Sequence, residues 1–271
     1  MDNPYWLMFV APEPTYLRRI AGFTALFAAS FLAVERQVLR AAKGRALDCL
    51  SSPRQRPPPE RSGLTAASTA CSLVHALVTS CAAVGVVLGL VTAGAWQWAL
   101  AFSQGYFLSD VVLYGVRREA WVVVHHLWMV LAHHPIGEPR RFCELMGCGD
   151  CNRAVWLSAS GYWAEISTVC LNVRWFQQRC LRPRSVWYTL NSACLLLSYP
   201  VTRVVAVPLI LGGSLWPHVD EYRRHGLFGL VAFTCVTYSA MALMSAYYFY
   251  TLVSRGLRRV LVFQPDAEKR A

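Results

Sequence analysis

Apolar stretches of helix length, separated by short clusters of charge, run along most of this 271-residue chain. At about 20 apolar residues per bilayer crossing, the pattern predicts helices near residues 18–36, 64–91, 95–114, 119–134, 154–173, 186–211 and 227–253. The stretches lack the strict in–out alternation of barrel strands. Backbone polar groups in hydrocarbon must be satisfied internally, so the expected class is all-α, a polytopic transmembrane helix bundle. Seven helices are expected and six are the runner-up count. The fourth, carrying four histidines, is short and reads as a half-span or a buried segment. The first apolar run resembles a signal peptide in its small residues Ala28, Ala29 and Ser30, but Glu35, Arg36 and Arg40 follow at once as a stop-transfer pattern. It is expected to be a retained span.

Composition agrees: 55% of residues are hydrophobic, 15% are charged, and mean hydropathy is +0.35. A soluble domain carries nearer a quarter charged residues. The net charge of +11 would suggest nucleic acid in a soluble protein. Here it fits positive-inside loops, and no basic face interleaved with aromatics lies outside the spans, so no nucleic-acid partner is expected. In a seven-helix count, Arg36, Arg40, Lys43, Arg45, Arg54, Arg56, Arg61, Arg117, Arg118, Arg174, Arg179, Arg182, Arg184 and the tail cations share one side. That places the N-terminus lumenal and the C-terminus cytosolic. The organisation expected is 1–63 (tail, first helix and a basic Pro-rich loop), 64–255 (helical bundle) and 256–271 (cytosolic tail). Trp96, Trp98, Trp121, Trp175, Trp187 and Trp216 fall near span ends and are expected as interfacial anchors.

The polar groups left inside the spans carry the functional information. They are His75, Asp110, the adjacent His125 and His126, Glu165, Asn172, Asn191 and Arg203. A charge at this depth costs about 2.5–3.5 kcal/mol before it finds a partner, so such residues face the bundle interior. Tyr106 and Asp110 share a helix face, as do Tyr199 and Arg203, Glu165 and Asn172, and the stripe Ser72, His75 and Thr79. At least four helices each turn a polar stripe inward, which predicts a polar-lined cavity. Ties between helices are the plainer reading for a single Asn or Ser; an Asp, a Glu, an Arg and three His together favour a site.

Histidine exchanges protons near neutral pH, and a carboxylate fixes its tautomer and raises its basicity. His125 or His126 paired with Asp110 is therefore the candidate catalytic set, suited to deprotonating a hydroxyl or amine, or to accepting an acyl group. The cavity set is His75, Tyr106, Glu165, Asn172, Asn191 and Arg203. Histidine-box di-iron chemistry needs more closely boxed histidines than the seven in this chain, and no metal or cofactor is expected. The spacing Cys148-Gly149-Asp150-Cys151 is a weak redox signal in a loop on the lumenal side.

Taken in order, Ser72-Leu73-Val74-His75, Gly105-Tyr106-Phe107-Leu108-Ser109-Asp110, His125-His126, and Glu165-Ile166-Ser167-Thr168 through Leu171-Asn172-Val173-Arg174-Trp175, with Asn191 and Arg203, resemble the TLC-domain family over about residues 64–253. The resemblance implies a bundle around a lipid-accessible cavity, residence in the endoplasmic reticulum and a role in lipid metabolism. In ceramide synthases the histidine pair transfers an acyl group from acyl-CoA to a sphingoid amine, a role that would fall on His125 and His126. The residues after the pair, Leu127-Trp128-Met129-Val130-Leu131-Ala132-His133-His134-Pro135, depart from the ceramide-synthase signature. The likeness is to the non-ceramide-synthase branch, associated with membrane phospholipid composition. The expectation is a lipid-homeostasis protein holding a lipid or acyl chain, with membrane lipids as partners. The alternatives are an acyl-CoA-dependent acyltransferase, with acyl-CoA as substrate, and a transporter or trafficking adaptor. The oligomeric state is left open.

Overall fold

A computed structural model describes residues 13–43, 66–116, 120–133, 151–180, 185–224 and 228–262. The helices are α1 (Pro14–Lys43), α2 (Ala66–Val87), α3 (Ala93–Val116), α4 (Ala120–His133), α5 (Cys151–Gly161), α6 (Ala164–Cys180), α7 (Val186–Pro200), α8 (Ala206–Ile210), α9 (Val219–Arg224) and α10 (Phe228–Val262). Among the described residues there is no strand. The all-α bundle expected from the pattern is what forms. The basic Pro-rich loop, both termini, His134 and the Cys148 end of the CxxC spacing lie outside the described residues, and of Cys151 only the backbone is described.

Burial is inverted relative to a soluble protein. Leu90, Leu197, Leu209 and Leu243 are exposed, whereas His75, Thr79, Ser103, Gln104, Asp110, Ser158, Ser167 and Thr237 are buried. Buried polar groups inside an apolar exterior are stable where the solvent is hydrocarbon; here they sit among core residues such as Phe31, Trp96 and Leu100. Three helical segments, 14–37, 66–87 and 186–210, are long and apolar enough to cross a bilayer by length and composition. The 14-residue α4 spans only about 21 Å at 1.5 Å per residue, short of a full crossing, as its sequence suggests.

Two expected helices differ from the pattern. The stretch 154–173 is broken at Tyr162 and Trp163, where Tyr162 N–H bonds the Ala159 carbonyl and Glu165 N–H bonds the Tyr162 carbonyl, each three residues back. The break re-aims α6 relative to α5. The helix expected over 186–211 is regular only to Pro200 and continues through a π turn, Val201–Val205, in which Ala206 N–H reaches the Val201 carbonyl. Pro200 cannot donate to the ladder and crowds the preceding turn; Thr202 Oγ1 donates to the Ser198 carbonyl (2.9 Å) there.

α1 packs most extensively on α3, α2 lies against α3, α5 and α6, and α6 against α7; α10 packs on α7 and its π turn. Two glycines are decisive. A Cβ on Gly105 would lie 2.4 Å from Phe23 Cβ and 2.9 Å from backbone atoms of Phe23 and Thr24, so α3 approaches the α1 backbone as only glycine allows. Gly89, at φ 70°, ends α2: Leu90 N–H bonds the Gly85 carbonyl and Gly89 N–H the Val86 carbonyl, the Schellman pattern with glycine at its left-handed position. Gly89→Ala is expected to cost about 1 kcal/mol, read as a small fall in the melting temperature of the detergent-solubilised protein.

One aromatic expectation is corrected. Trp96 is fully buried, not interfacial: its indole N–H donates to Ser158 Oγ (3.1 Å) and its ring meets Tyr162 edge-on. Burying an indole requires a partner for its N–H, and α5 supplies one. Trp98 stays half-exposed under the Arg19 guanidinium, 4.2 Å from its centroid, and Trp187 and Trp216 are exposed.

Candidate functional site

The polar groups of α2, α3, α4, α6 and the π turn meet in one buried cluster. His75, on α2, stacks on Tyr106 (centroids 4.2 Å, 18°) and meets Phe107 edge-on at 5.0 Å. Its Nε2 is 2.8 Å from Ser103 Oγ and its Nδ1 is 3.9 Å from Glu165 Oε2. On the other side of the Tyr106–Phe107 pair, His126 Nδ1 lies 3.5 Å from Asp110 Oδ2, an ion-pair distance too long for a good hydrogen bond. The His126 ring is 5.1 Å from Phe107 and 5.9 Å from Tyr106. Two histidine–carboxylate pairs thus share one aromatic wall.

Arg203 closes the cluster from the π turn. Its Nε donates to Ser167 Oγ (2.8 Å) and an Nη to Thr168 Oγ1 (2.6 Å), both on α6, and its guanidinium lies 5.1 Å from the Tyr199 ring centroid. Glu165 and His125 both lie in the electrostatic field of this guanidinium. π turns recur at functional sites because they rotate a side chain off the helical register, and here the rotated side chain is the partly buried Arg203.

Of the candidate catalytic set, Asp110 and His126 are buried and paired, whereas His125 is partly exposed, with its ring 5.4 Å from His126. The expected pairing with Asp110 falls to His126. Of the cavity set, His75, Tyr106, Glu165 and Arg203 are brought together. The two asparagines stand apart as ties between helices: Asn172 Nδ2 donates to Ser72 Oγ (2.9 Å), and Asn191 Nδ2 donates to the Cys170 carbonyl (2.9 Å) and to Gln177 Oε1 (3.2 Å). Thr79, on the predicted stripe, donates to the His75 carbonyl of its own helix (2.7 Å). The void beside Arg203, bounded also by Ser160, Ala164, Thr202, Tyr238 and Ser245, is only about 10 Å³, room for about one water.

Sequence reasoning missed Ser103 and Tyr162. Ser103 precedes Tyr106 and Asp110 by three and seven residues, so the helical period alone would have placed it on their face. Tyr162 gave no such signal, because it sits at the break between α5 and α6. Its phenol lies near Ser103 and within electrostatic range of Glu165 and Tyr238. Among the described residues no group of three or more His, Cys, Asp or Glu converges as a metal-ligand set.

TLC domain-containing protein 4-A of Xenopus laevis and TLC domain-containing protein 4 of Xenopus tropicalis are each 25% identical to the chain over 181 residues. The chain is similar to TLC domain-containing proteins over that stretch. The match takes in 63% of this chain and spans 63% of the length of each relative. Neither relative's name is that of a ceramide synthase, in keeping with the branch the sequence resembles. No family model and no solved structure matches the chain. The TLC-like segments quoted from the sequence are also the segments that meet in space: α2 brings His75, α3 Tyr106 and Asp110, α4 the histidine pair, and α6 Glu165, Ser167 and Thr168.

Proposed function

We propose that this TLC-type protein acts in membrane lipid homeostasis, holding a lipid acyl chain against the bundle and presenting its polar end to the histidine cluster. The observation that carries the reading is the pair of buried histidine–carboxylate contacts on one aromatic wall, inside helices whose outer faces are apolar. Because the void beside Arg203 holds only about one water, the chain is taken to lie along the outside of α4. There Val124, Leu127 and Leu131 are exposed around the partly exposed His125. Residence in the endoplasmic reticulum, which the family resemblance implies, is part of the proposal, as are a lumenal N-terminus and a cytosolic C-terminus, which rest on the charge pattern.

A second reading, acyl transfer from acyl-CoA, is favoured by the His126–Asp110 contact, which suits general-base chemistry beside a partly exposed histidine. Whole-cell lipidomics tests both readings, comparing the wild-type protein with a His125→Ala/His126→Ala variant at matched abundance. A change in one acyl-lipid class with the wild type alone is the expected result. Equal effects of both proteins, or none, would overturn a chemical role for the pair and leave an adaptor or transporter role.

A further inference from the structure

His75 and its neighbours form a second constellation that the histidine pair of α4 does not explain. Ser103 Oγ lies 2.8 Å from His75 Nε2, and His75 Nδ1 faces Glu165 Oε2 at 3.9 Å. A serine hydroxyl donating to Nε2 puts the ring proton on Nδ1, the atom turned toward the carboxylate. The order is that of nucleophile, base and orienting acid, with the carboxylate at ion-pair distance and beyond hydrogen-bond reach. Three different helices contribute the three residues: α3, α2 and α6. The carboxylate is held in turn, with Thr168 beside it and Arg203 in range.

One further feature points to a substrate. Gln104, next to Ser103, is fully buried, and neither its amide nitrogen nor its amide oxygen has a hydrogen-bond partner among the described residues. An unsatisfied buried amide costs about 1–3 kcal/mol, a cost that a bound polar group would relieve.

We propose that Ser103, His75 and Glu165 are a nucleophilic triad for fatty-acyl esters of membrane lipids. Ser103 Oγ attacks the ester carbonyl carbon while its proton passes to His75 Nε2. The carbonyl–oxygen bond to the alcohol then breaks, and that proton goes to the departing alcohol oxygen. Water, delivering its proton to Nε2, attacks the acyl-serine; Ser103 takes the proton back and a fatty acid is released. The sum is ester plus water giving acid plus alcohol. The site uses neither His125 nor His126, although it shares the His75–Glu165 contact with the lipid-binding reading.

The test is covalent trapping on the purified full-length protein in detergent, with a long-chain alkyl fluorophosphonate and with the compact diisopropyl fluorophosphate. In the reaction Ser103 Oγ bonds to phosphorus and fluoride leaves. Peptide mass spectrometry of the wild type is expected to place the adduct on Ser103. The adduct is lost in Ser103→Ala and forms about 100-fold more slowly in His75→Gln, the size of a lost general base. The wild-type adduct assigns the site even where a variant fails to fold. Helical circular dichroism and a single symmetric elution peak establish that the wild type is folded. Folded wild type that takes neither probe at Ser103, or takes it equally fast without His75, overturns the triad and leaves the Ser103–His75 contact as a tie between α2 and α3. Because the adduct is read on purified protein, its absence is distinct from a negative lipidomics result.

Discussion

Gly105→Ala is expected to destabilise the bundle by about 1–3 kcal/mol, and Gly105→Val by more, because added atoms in a filled interface force backbone shifts. The nearest obstacles to a new Cβ include the backbone of Phe23 and Thr24 as well as the Phe23 side chain, so a rotamer change cannot relieve the clash. In hydrocarbon, helices associate through close packing and small residues, with no hydrophobic drive between them. The loss therefore falls directly on the α1–α3 contact. The same seam orders the site. Phe23 meets Phe102 (5.4 Å) and Phe27 meets Tyr106 (5.3 Å), and Tyr106 is the ring on which His75 stacks. Displacing α1 is thus expected to loosen His75 as well. Thermal unfolding in detergent checks the stability, and a wild-type melting temperature for Gly105→Ala would show that α1 and α3 do not approach so closely.

Arg203→Ala is expected to destabilise by about 1.5–3 kcal/mol, the range for hydrogen bonds to a charged group, since the guanidinium is only partly buried. It deletes the bonds to Ser167 and Thr168 and leaves Glu165 without the cation in whose field it lies. Arg203→Lys is expected to recover only part of this, because an ammonium cannot reproduce the planar fork that reaches both hydroxyls. Combining Arg203→Ala with Glu165→Gln should restore part of the loss, since the uncompensated carboxylate is then gone. The double-mutant cycle, read from denaturation in mixed micelles, measures that coupling. Strictly additive effects would mean that Arg203 and Glu165 do not share a network.

The chain's own pattern reveals the helices, their inward polar stripes and the Tyr199–Arg203 pairing, because residues one turn apart on a helix share a face whatever surrounds them. It also narrows the partner of Asp110 to the histidine pair of α4. It does not reveal that His75 on α2 meets Ser103 on α3 and Glu165 on α6, since contacts between helices depend on crossing geometry that no local period encodes. Asn172 and Asn191 show the same limit: each reads as an inward polar residue, and only its neighbours make it a tie.

By itself, then, the sequence determined an all-helical chain with an apolar exterior, the polar residues that had to turn inward, and the likeness to the TLC family. The tertiary structure decided which inward residues touch. The break at Tyr162 and Trp163 and the π turn after Pro200 both arise where the helical ladder changes its hydrogen-bond step. Those two local departures turn Glu165 and Arg203 into the same cluster, and only packing against α2 and α3 decides what they meet there.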